Sequence, residues 1–412
     1  MITMRVLWVG HGQSVIVEYG NGAVIVDCGA GLRYRGAAVH DYIKTRLAGG
    51  GLSRIDAIIL SHLDADHISG LDALLGDPDV EKLIRRCFVN DVYLRLIARG
   101  LGSSRDQVAA AVAVPRSREA LKSLLALSRL LTRRRRQGER EFHREVVVGS
   151  GSAAARQQLE IGGLPAELEV YALAPSQYLC DAGRRDLVGS GEEEAGKLAR
   201  RLAGFYGGAG SNLGSYVLEI CYGRARMLIG GDGGEEVWED IFRRGLLGGY
   251  EVIVAPHHGG RLRVRGDKDL NAEFWARAGR VGGLPWSVVV SHGARKLAPL
   301  PHEDVVKEIV SRGGRIFCTG LKEYVRPDRR DRGGGEKRRW LELFGVGPVV
   351  VTAVNEGECF GDVAISLDVD GVKGVTYSGR GDGGNGSGCC RRTGEQVRAV
   401  YATAAEGPKT AR

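Results

Sequence analysis

Between His62 and His67 the chain sets two imidazoles and two carboxylates within six residues, as His62-Leu63-Asp64-Ala65-Asp66-His67. Imidazole nitrogens and carboxylate oxygens are the donors that divalent ions take from proteins, at about 2.0–2.2 Å for zinc, and harder ions favour the oxygens. The 412-residue chain has only nine histidines, so two of them flanking two aspartates is poorly explained by chance. The competing explanation is a solvated helix start with Asp64 or Asp66 as N-cap. It leaves both histidines without a task. The chemistry this cluster offers is therefore metal binding.

Such ligands need a rigid base. Residues 57–60, Ala-Ile-Ile-Leu, form an apolar run that reads as a buried strand leading straight into the cluster. Residues 68–75 read as a helix that Asp77-Pro78 ends. Short strands are expected at 6–9, 15–18, 23–26, 167–173, 215–221, 226–229, 251–255, 286–291 and 315–318, with a tight turn at Tyr222-Gly223-Arg224. Helical spacing covers 37–47, 118–136, 235–244 and 303–311. Two β-rich halves flanked by helices predict an α/β fold, a four-layer αββα sandwich with a helical insertion at about 90–165. Residues 1–320 are assigned to this domain. Residues 321–377 read as a C-terminal extension, partly strand, with 349–353 and 363–369 as a terminal hairpin. Residues 378–412, rich in Gly, Ser and Arg, read as a disordered tail.

A hydrophobic content of 43% supplies a core for one large domain or two modest ones. No apolar run reaches the roughly 18–20 residues of a membrane span, and the N-terminal stretch reads as a strand rather than a signal peptide. Eight cysteines lack regular spacing, and Cys221 and Cys318 fall inside expected strands. That pattern points to a reducing, cytoplasmic setting rather than a disulfide framework. The net charge of +8 favours polyanionic partners, though weakly. Arg133-Arg134-Arg135-Arg136 invites phosphate contact, but arginine at a helix C-terminus is also favoured by the helix dipole.

The His-x-Asp-x-Asp-His motif after a strand resembles the metallo-β-lactamase fold superfamily. Asp64 at its second ligand position makes it similar to the soluble hydrolase domain of the ComEC DNA-uptake family. Further segments resemble that domain in order: Val9-Gly10-His11-Gly12-Gln13-Ser14, Val24-Ile25-Val26-Asp27-Cys28-Gly29, Asn212-Leu213-Gly214-Ser215-Tyr216-Val217-Leu218, Leu228-Ile229-Gly230-Gly231-Asp232 and Val254-Ala255-Pro256-His257-His258-Gly259-Gly260. The likeness runs through about 4–320, interrupted by the insertion. His11 and Gln13 stand where that family has Gln and Asp, and Leu300 stands at its late histidine, with His302 two positions on. In that family the hydrolase is appended to a membrane channel; here only the soluble part is expected, with no membrane association.

The resemblance implies metal ligands at His62, Asp64, Asp66, His67, Asp232 and one or both of His257 and His258. Six or seven candidates exceed the four of a closed structural zinc site. They suit two divalent ions about 3.5–4 Å apart, zinc or manganese, with Asp232 as the shared carboxylate and a bridging hydroxide as nucleophile. Asp64 moves the balance towards harder ions, and Ser211-Asn212, where a further histidine is common, leaves one ion position more open. Asp66 and His302 are the expected catalytic residues, with His292 as the alternative to His302. Asp27 is expected behind the site, orienting a ligand histidine, or else as a strand-end turn residue. His11 either lines the cleft or serves the turn. The implied function is a metal-dependent phosphodiesterase or nuclease acting on DNA or another nucleic acid. The alternatives are a hydrolase of small esters, lactones or cyclic nucleotides, and a non-catalytic metal-binding component; protein partners are not legible.

Overall fold

The computed structural model describes residues 1–10, 12–29, 38–90, 115–148, 156–181, 212–262, 264–265, 268–279, 286–291, 301–319, 362–369 and 371–378. The chain opens with an antiparallel meander, β1 (Ile2–Val6), β2 (Val15–Tyr19) and β3 (Gly22–Val26). Helix α1 (Ala38–Ala48) crosses over to β4 (Arg54–Ile59), which lies parallel to β3. Three short helices follow, α2 (Ala65–Ile68), α3 (Leu71–Gly76) and α4 (Pro78–Glu81), then β5 (Cys87–Phe88), the long α5 (Pro115–Arg136) and β6 (His143–Arg144).

The second half contributes β7 (Gln157–Gln158), β8 (Leu168–Ala174), β9 (Val217–Tyr222), β10 (Ala225–Ile229), α6 (Glu235–Arg243) and β11 (Val252–Val254). A two-stranded ribbon, β12 (Val264–Arg265) and β13 (Lys268–Asp269), leads into α7 (Leu270–Ala278). Then come β14 (Ser287–Val290), α8 (Glu303–Ser311), β15 (Arg315–Cys318), β16 (Asp362–Asp368) and β17 (Gly371–Ser378). One sheet has the order β17-β16-β1-β2-β3-β4-β5-β6 and the other β15-β14-β11-β10-β9-β8-β7.

The layering follows from the two-residue period of the strands, which sends alternate side chains to opposite faces. Val24, Val26 and Ile59 of the first sheet meet Leu218, Ile220 and Ile229 of the second in a central core. Their neighbours Ile25, Ile58 and Leu60 face the other way, under α1, α3 and α5. Leu228, Ile253 and Val288 lie beneath Trp238 of α6, Phe274 of α7 and Ile309 of α8. The result is the αββα order expected from the sequence.

Local details differ from that expectation where polar residues compete with periodicity. The helix expected at 68–75 is two pieces: α2 already begins at Ala65, inside the ligand motif, and Ser69-Gly70 separates it from α3. Asp77 starts a helix as well as ending one, since its carboxylate accepts the N–H groups of Asp79 and Val80 with Pro78 at the first helical position. The terminal hairpin is β16 with β17, not 349–353 with 363–369, and it adds to the first sheet beside β1. Residues 349–353 lie outside the described residues, as do 91–114 and 149–155 of the insertion and 379–412 of the expected tail.

Helix α5 shows what the insertion does for the motif. Leu124, Leu127 and Leu130 recur at helical spacing, are buried, and face α2 and α3. Ser123 Oγ accepts the Asp72 N–H of α3 at 3.2 Å. The insertion helix therefore buttresses the element that carries Asp66 and His67. Leu124→Ala is expected to cost about 2–5 kcal/mol of stability, measured by denaturant unfolding. A cost below about 1 kcal/mol would mean the helix is not packed as described.

Candidate metal centre

The first half of the centre is organised by Asp27, the residue after β3. Asp27 takes a left-handed backbone conformation (φ 61°), uncommon outside glycine but tolerated by aspartate. That turn swings its fully buried carboxylate across the end of β4. Oδ1 accepts the Ser61 N–H at 2.7 Å, and Oδ2 accepts the Ser61 hydroxyl at 2.7 Å and the Gln13 Nε2–H at 3.0 Å. Oδ2 also lies 2.8 Å from His67 Nδ1. An ionised carboxylate only accepts, so Nδ1 carries the proton and Nε2 faces the cluster. The Ser61 hydroxyl proton is used on Asp27, so its oxygen is left to accept from His62 Nδ1, 3.1 Å away. Both imidazoles thereby present Nε2 inward. Asp64 occupies the N-cap position of α2, but its side chain makes no capping bond. The helix-start explanation fails there.

The second half arrives on β10 and β11. Gly231 has φ 52°, and a Cβ there would meet Ser215 Oγ at 2.6 Å and the Tyr216 carbonyl at 2.8 Å, so this turn admits only glycine. Ser215 Oγ accepts the Asp232 N–H at 3.2 Å, and Tyr216 N–H donates to the Ser61 carbonyl at 2.8 Å, joining the halves. His257 and His258 are both left-handed, with φ 48° and 55°. His258 Nδ1 lies 2.7 Å from the Ser291 carbonyl and must donate to it. Its Nε2 then faces Asp66 Oδ2 at 3.5 Å and Asp232 Oδ1 at 3.8 Å. His257 is half-buried, with its ring centre 6.5 Å from that of His258, and belongs to neither donor group.

Two overlapping groups result, His62 with His67 and Asp232, and Asp66 with His67 and His258. Within each, one ligand atom per residue lies within 4.8 Å of the others. His67 Nε2 is 3.2 Å from Asp232 Oδ1, while His62 Nε2 is 3.9 Å from Asp232 Oδ2 and 3.8 Å from Asp64 Oδ2. Nε2 of His62, Nε2 of His67 and Oδ1 of Asp232 are buried and outside good hydrogen-bond geometry, although His67 Nε2 and Asp232 Oδ1 form an ion pair with each other. Leaving His62 Nε2 without a hydrogen bond costs about 1–3 kcal/mol. Cations bound against these atoms would satisfy all three, and imidazole nitrogens with carboxylate oxygens are a donor set that divalent ions take.

Electrostatics sort the imidazoles. Burial, aided by the neighbouring His67, pushes His62 down to about 4, so it is neutral at physiological pH. Burial opposes protonation of His67 too, but the carboxylates of Asp232 and Asp27 outweigh it and hold its pKa well above the ordinary value. His258 is likewise raised: burial opposes, while Asp232 and Asp66 prevail. Burial alone would raise Asp66 and Asp232, yet their imidazole neighbours hold both well below the usual carboxylate range.

Other expected residues lie elsewhere. His302 N-caps α8 through Nδ1, which accepts the Asp304 N–H at 3.2 Å, and its side chain is 44% exposed. It joins neither donor group, although its backbone N–H donates to the Gly259 carbonyl at 2.9 Å and so braces the histidine loop. His11, His292, Ser211 and Leu300 lie outside the described residues. Within the arginine run, Arg133 pairs with Glu81. Arg134 pairs with Glu139 at 2.9 Å and stacks on Phe142 at 4.9 Å. Half of that run is thus engaged within the protein, and Arg135 and Arg136 are exposed. Gln13, Ser61 and Ser291 are contributors that motif reading did not single out as site residues. Gln13 was visible only as a departure in a turn, and Ser291 acts through a backbone carbonyl, which no residue type announces.

Residues 7–86 match the family model of the Metallo-beta-lactamase superfamily. The stretch begins just after β1, ends just before β5, and contains Asp27 and His62 to His67. No curated protein sequence matches the chain. Solved structures similar to it include the metallo-beta-lactamase fold protein YhfI from Bacillus subtilis, at 11% identity over 77% of this chain and 96% of that one, TM-score 0.36. Zn(2+)-bound PqqB from Methylobacterium extorquens is 12% identical over 78% and 99%, TM-score 0.38. A diphosphatase from the PhnP family is 12% identical over 77% and 94%, TM-score 0.33. The superfamily match together with the two-sheet αββα arrangement identifies the fold as that of the metallo-beta-lactamases. Among the described residues no helix is long and apolar enough to cross a membrane.

The charge pattern has a measurable consequence in metal-free protein. His67 is raised in the folded state, so its pairing with Asp232 contributes fully below about pH 6.5 and is lost as pH rises through the folded value. Urea unfolding of chelator-treated wild type and Asp232→Asn at pH 6 and pH 9 should show the stability gap narrowing at the higher pH. A gap that stays constant would refute the coupling.

Proposed function

We propose that this chain is a metal-dependent hydrolase that cleaves phosphodiesters, with nucleic acid as its substrate class. The observation that carries the reading is the meeting of the buried Nε2 atoms of His62 and His67 with the Asp232 carboxylate at the ends of β4 and β10. The two oxygens of Asp232 face different imidazoles, Oδ2 towards His62 and Oδ1 towards His67 and His258. This supports Asp232 as the carboxylate shared by two ions. His62 and Asp64 would hold one ion, and Asp66, His67 and His258 the other. When bound, such ions acidify a coordinated water and neutralise charge developing on the phosphate.

The chain's own residues do the remaining work. Asp27 and the Ser291 carbonyl fix the orientation of His67 and His258, as outer partners of ligand histidines do. Asp66, with its side chain 23% exposed, is the carboxylate of its group that solvent reaches. His257, half-buried beside the Asp232 turn and bonded through its N–H to the Gly231 carbonyl at 2.9 Å, would meet a substrate phosphate. His302 is a second candidate for that contact. The aspartate-rich donor set favours hard ions and phosphate chemistry, and a net charge of +8 suits a polyanion.

Protein reconstituted with zinc or manganese should take up two ions per chain, the first more tightly, by elemental analysis and titration. It should turn over single- or double-stranded DNA, RNA or bis-p-nitrophenyl phosphate, with Asp232→Asn at least about a hundredfold slower. Turnover of a lactone or simple ester alone would move the reading to a small-molecule hydrolase. If wild type and Asp232→Asn behave alike on every substrate with both metals, the enzymatic reading fails.

A further inference from the structure

Gln13 is a fully buried polar residue in the turn between β1 and β2. Its backbone already anchors that turn: the N–H donates to the Asp66 carbonyl of α2 at 3.0 Å, and the carbonyl accepts the Gly29 N–H at 3.0 Å. The turn therefore does not need the side chain to hold its place. The side-chain amide makes one bond, Nε2–H to Asp27 Oδ2 at 3.0 Å, on the same oxygen that faces His67 Nδ1 at 2.8 Å. Its Oε1 is buried without a hydrogen-bond partner, which is costly. An apolar side chain of similar volume would avoid that cost, so the contribution of the amide lies in its bond to Asp27. The amide also donates without charge. A lysine here would add a cation beside an ion site, and a carboxylate would set two anions about 3 Å apart.

We propose that Gln13 is a positioning residue of the metal centre, whose amide, acting through Asp27, holds the His67 imidazole with Nε2 presented to an ion. This rests on the reading of the site as a metal centre. It adds a third link, Gln13 to Asp27 to His67, to the two-link arrangement common behind ligand histidines.

The test is a double-mutant cycle in the full chain, using Gln13→Met, Asp27→Asn and the double variant. Zinc affinity is read by competition with a chelating dye, and the His67 Nδ1–H by its imidazole resonance in zinc-loaded protein. Gln13→Met should bind zinc about tenfold more weakly, with its metal-free melting midpoint within a few degrees of wild type. The His67 resonance should move, or its proton exchange faster. In the Asp27→Asn background the same substitution should change affinity less than about twofold, because the intermediary is gone. Should Gln13→Met fail to fold, Gln13→Asn, which withdraws the amide by one carbon, carries the same expectations. Wild-type affinity with an unmoved His67 resonance would overturn the proposal, as would a full tenfold loss in the Asp27→Asn background. A wild type that takes up no zinc would remove the metal-centre reading itself. Equal binding by wild type and variant removes only the role of Gln13.

Discussion

The centre depends on one buried carboxylate. Asp27 receives the Ser61 backbone, the Ser61 hydroxyl, the Gln13 amide and the His67 imidazole, and through Ser61 it also fixes the proton of His62. Buried polar networks of this kind are strong when every member is satisfied and expensive when one is not. Because Asp27 follows β3 and Ser61 follows β4, the same bonds lock the ends of two parallel neighbours together. Sheet register and imidazole orientation are therefore set by the same group. A shift in one displaces the other.

The geometry is bought with backbone strain placed where the ligands are. Among the described residues, the non-glycine positions with positive φ are Asp27, His257 and His258. Each such position costs about 1–3 kcal/mol and persists only where its surroundings over-determine it. Asp27 has its hydrogen bonds, and His258 has the Ser291 carbonyl. Gly259 beyond them is pressed against Pro301, which a Cβ on Gly259 would meet at 2.7 Å. The sandwich supplies rigidity from both sides: α5 behind α2 and α3 in the first half, and α8 with its braced entry in the second.

Much of this was legible from residue types. The ends of β4 and β10 that lead into the ligands, Ala57–Ile59 and Met227–Ile229, are apolar runs because both faces are covered there, and the ligands crowd those ends because a strand end is where backbone turns are free to form. The start of α2 inside the motif was not legible, because Asp64, Ala65 and Asp66 carry no periodic apolar signal and Asp64 does not cap with its side chain. The choice between His257 and His258 was equally hidden. It turns on the carbonyl of Ser291, 33 residues away in sequence. His302 was read for its type, yet the structure uses its Nδ1 as a helix cap, a task that serine or aspartate would fill without comment. The pairing of β16 with β17 has its own sequence signal in Asp370-Gly371, a dipeptide that favours tight hairpin turns.

Charge balance explains how so many ionisable groups can share a buried volume. His67 and His258 are shifted towards their protonated forms and Asp66 and Asp232 towards their ionised forms, each by the opposite charge beside it, while burial keeps His62 neutral. Isolated charges at this depth would not be tolerated, whereas compensated ones are. A divalent ion entering the cluster must displace protons from the imidazoles it binds. The orientation imposed by Asp27 and Ser291 is the same in both states, because each holds Nδ1, the nitrogen that keeps its proton, and leaves Nε2 to make the exchange.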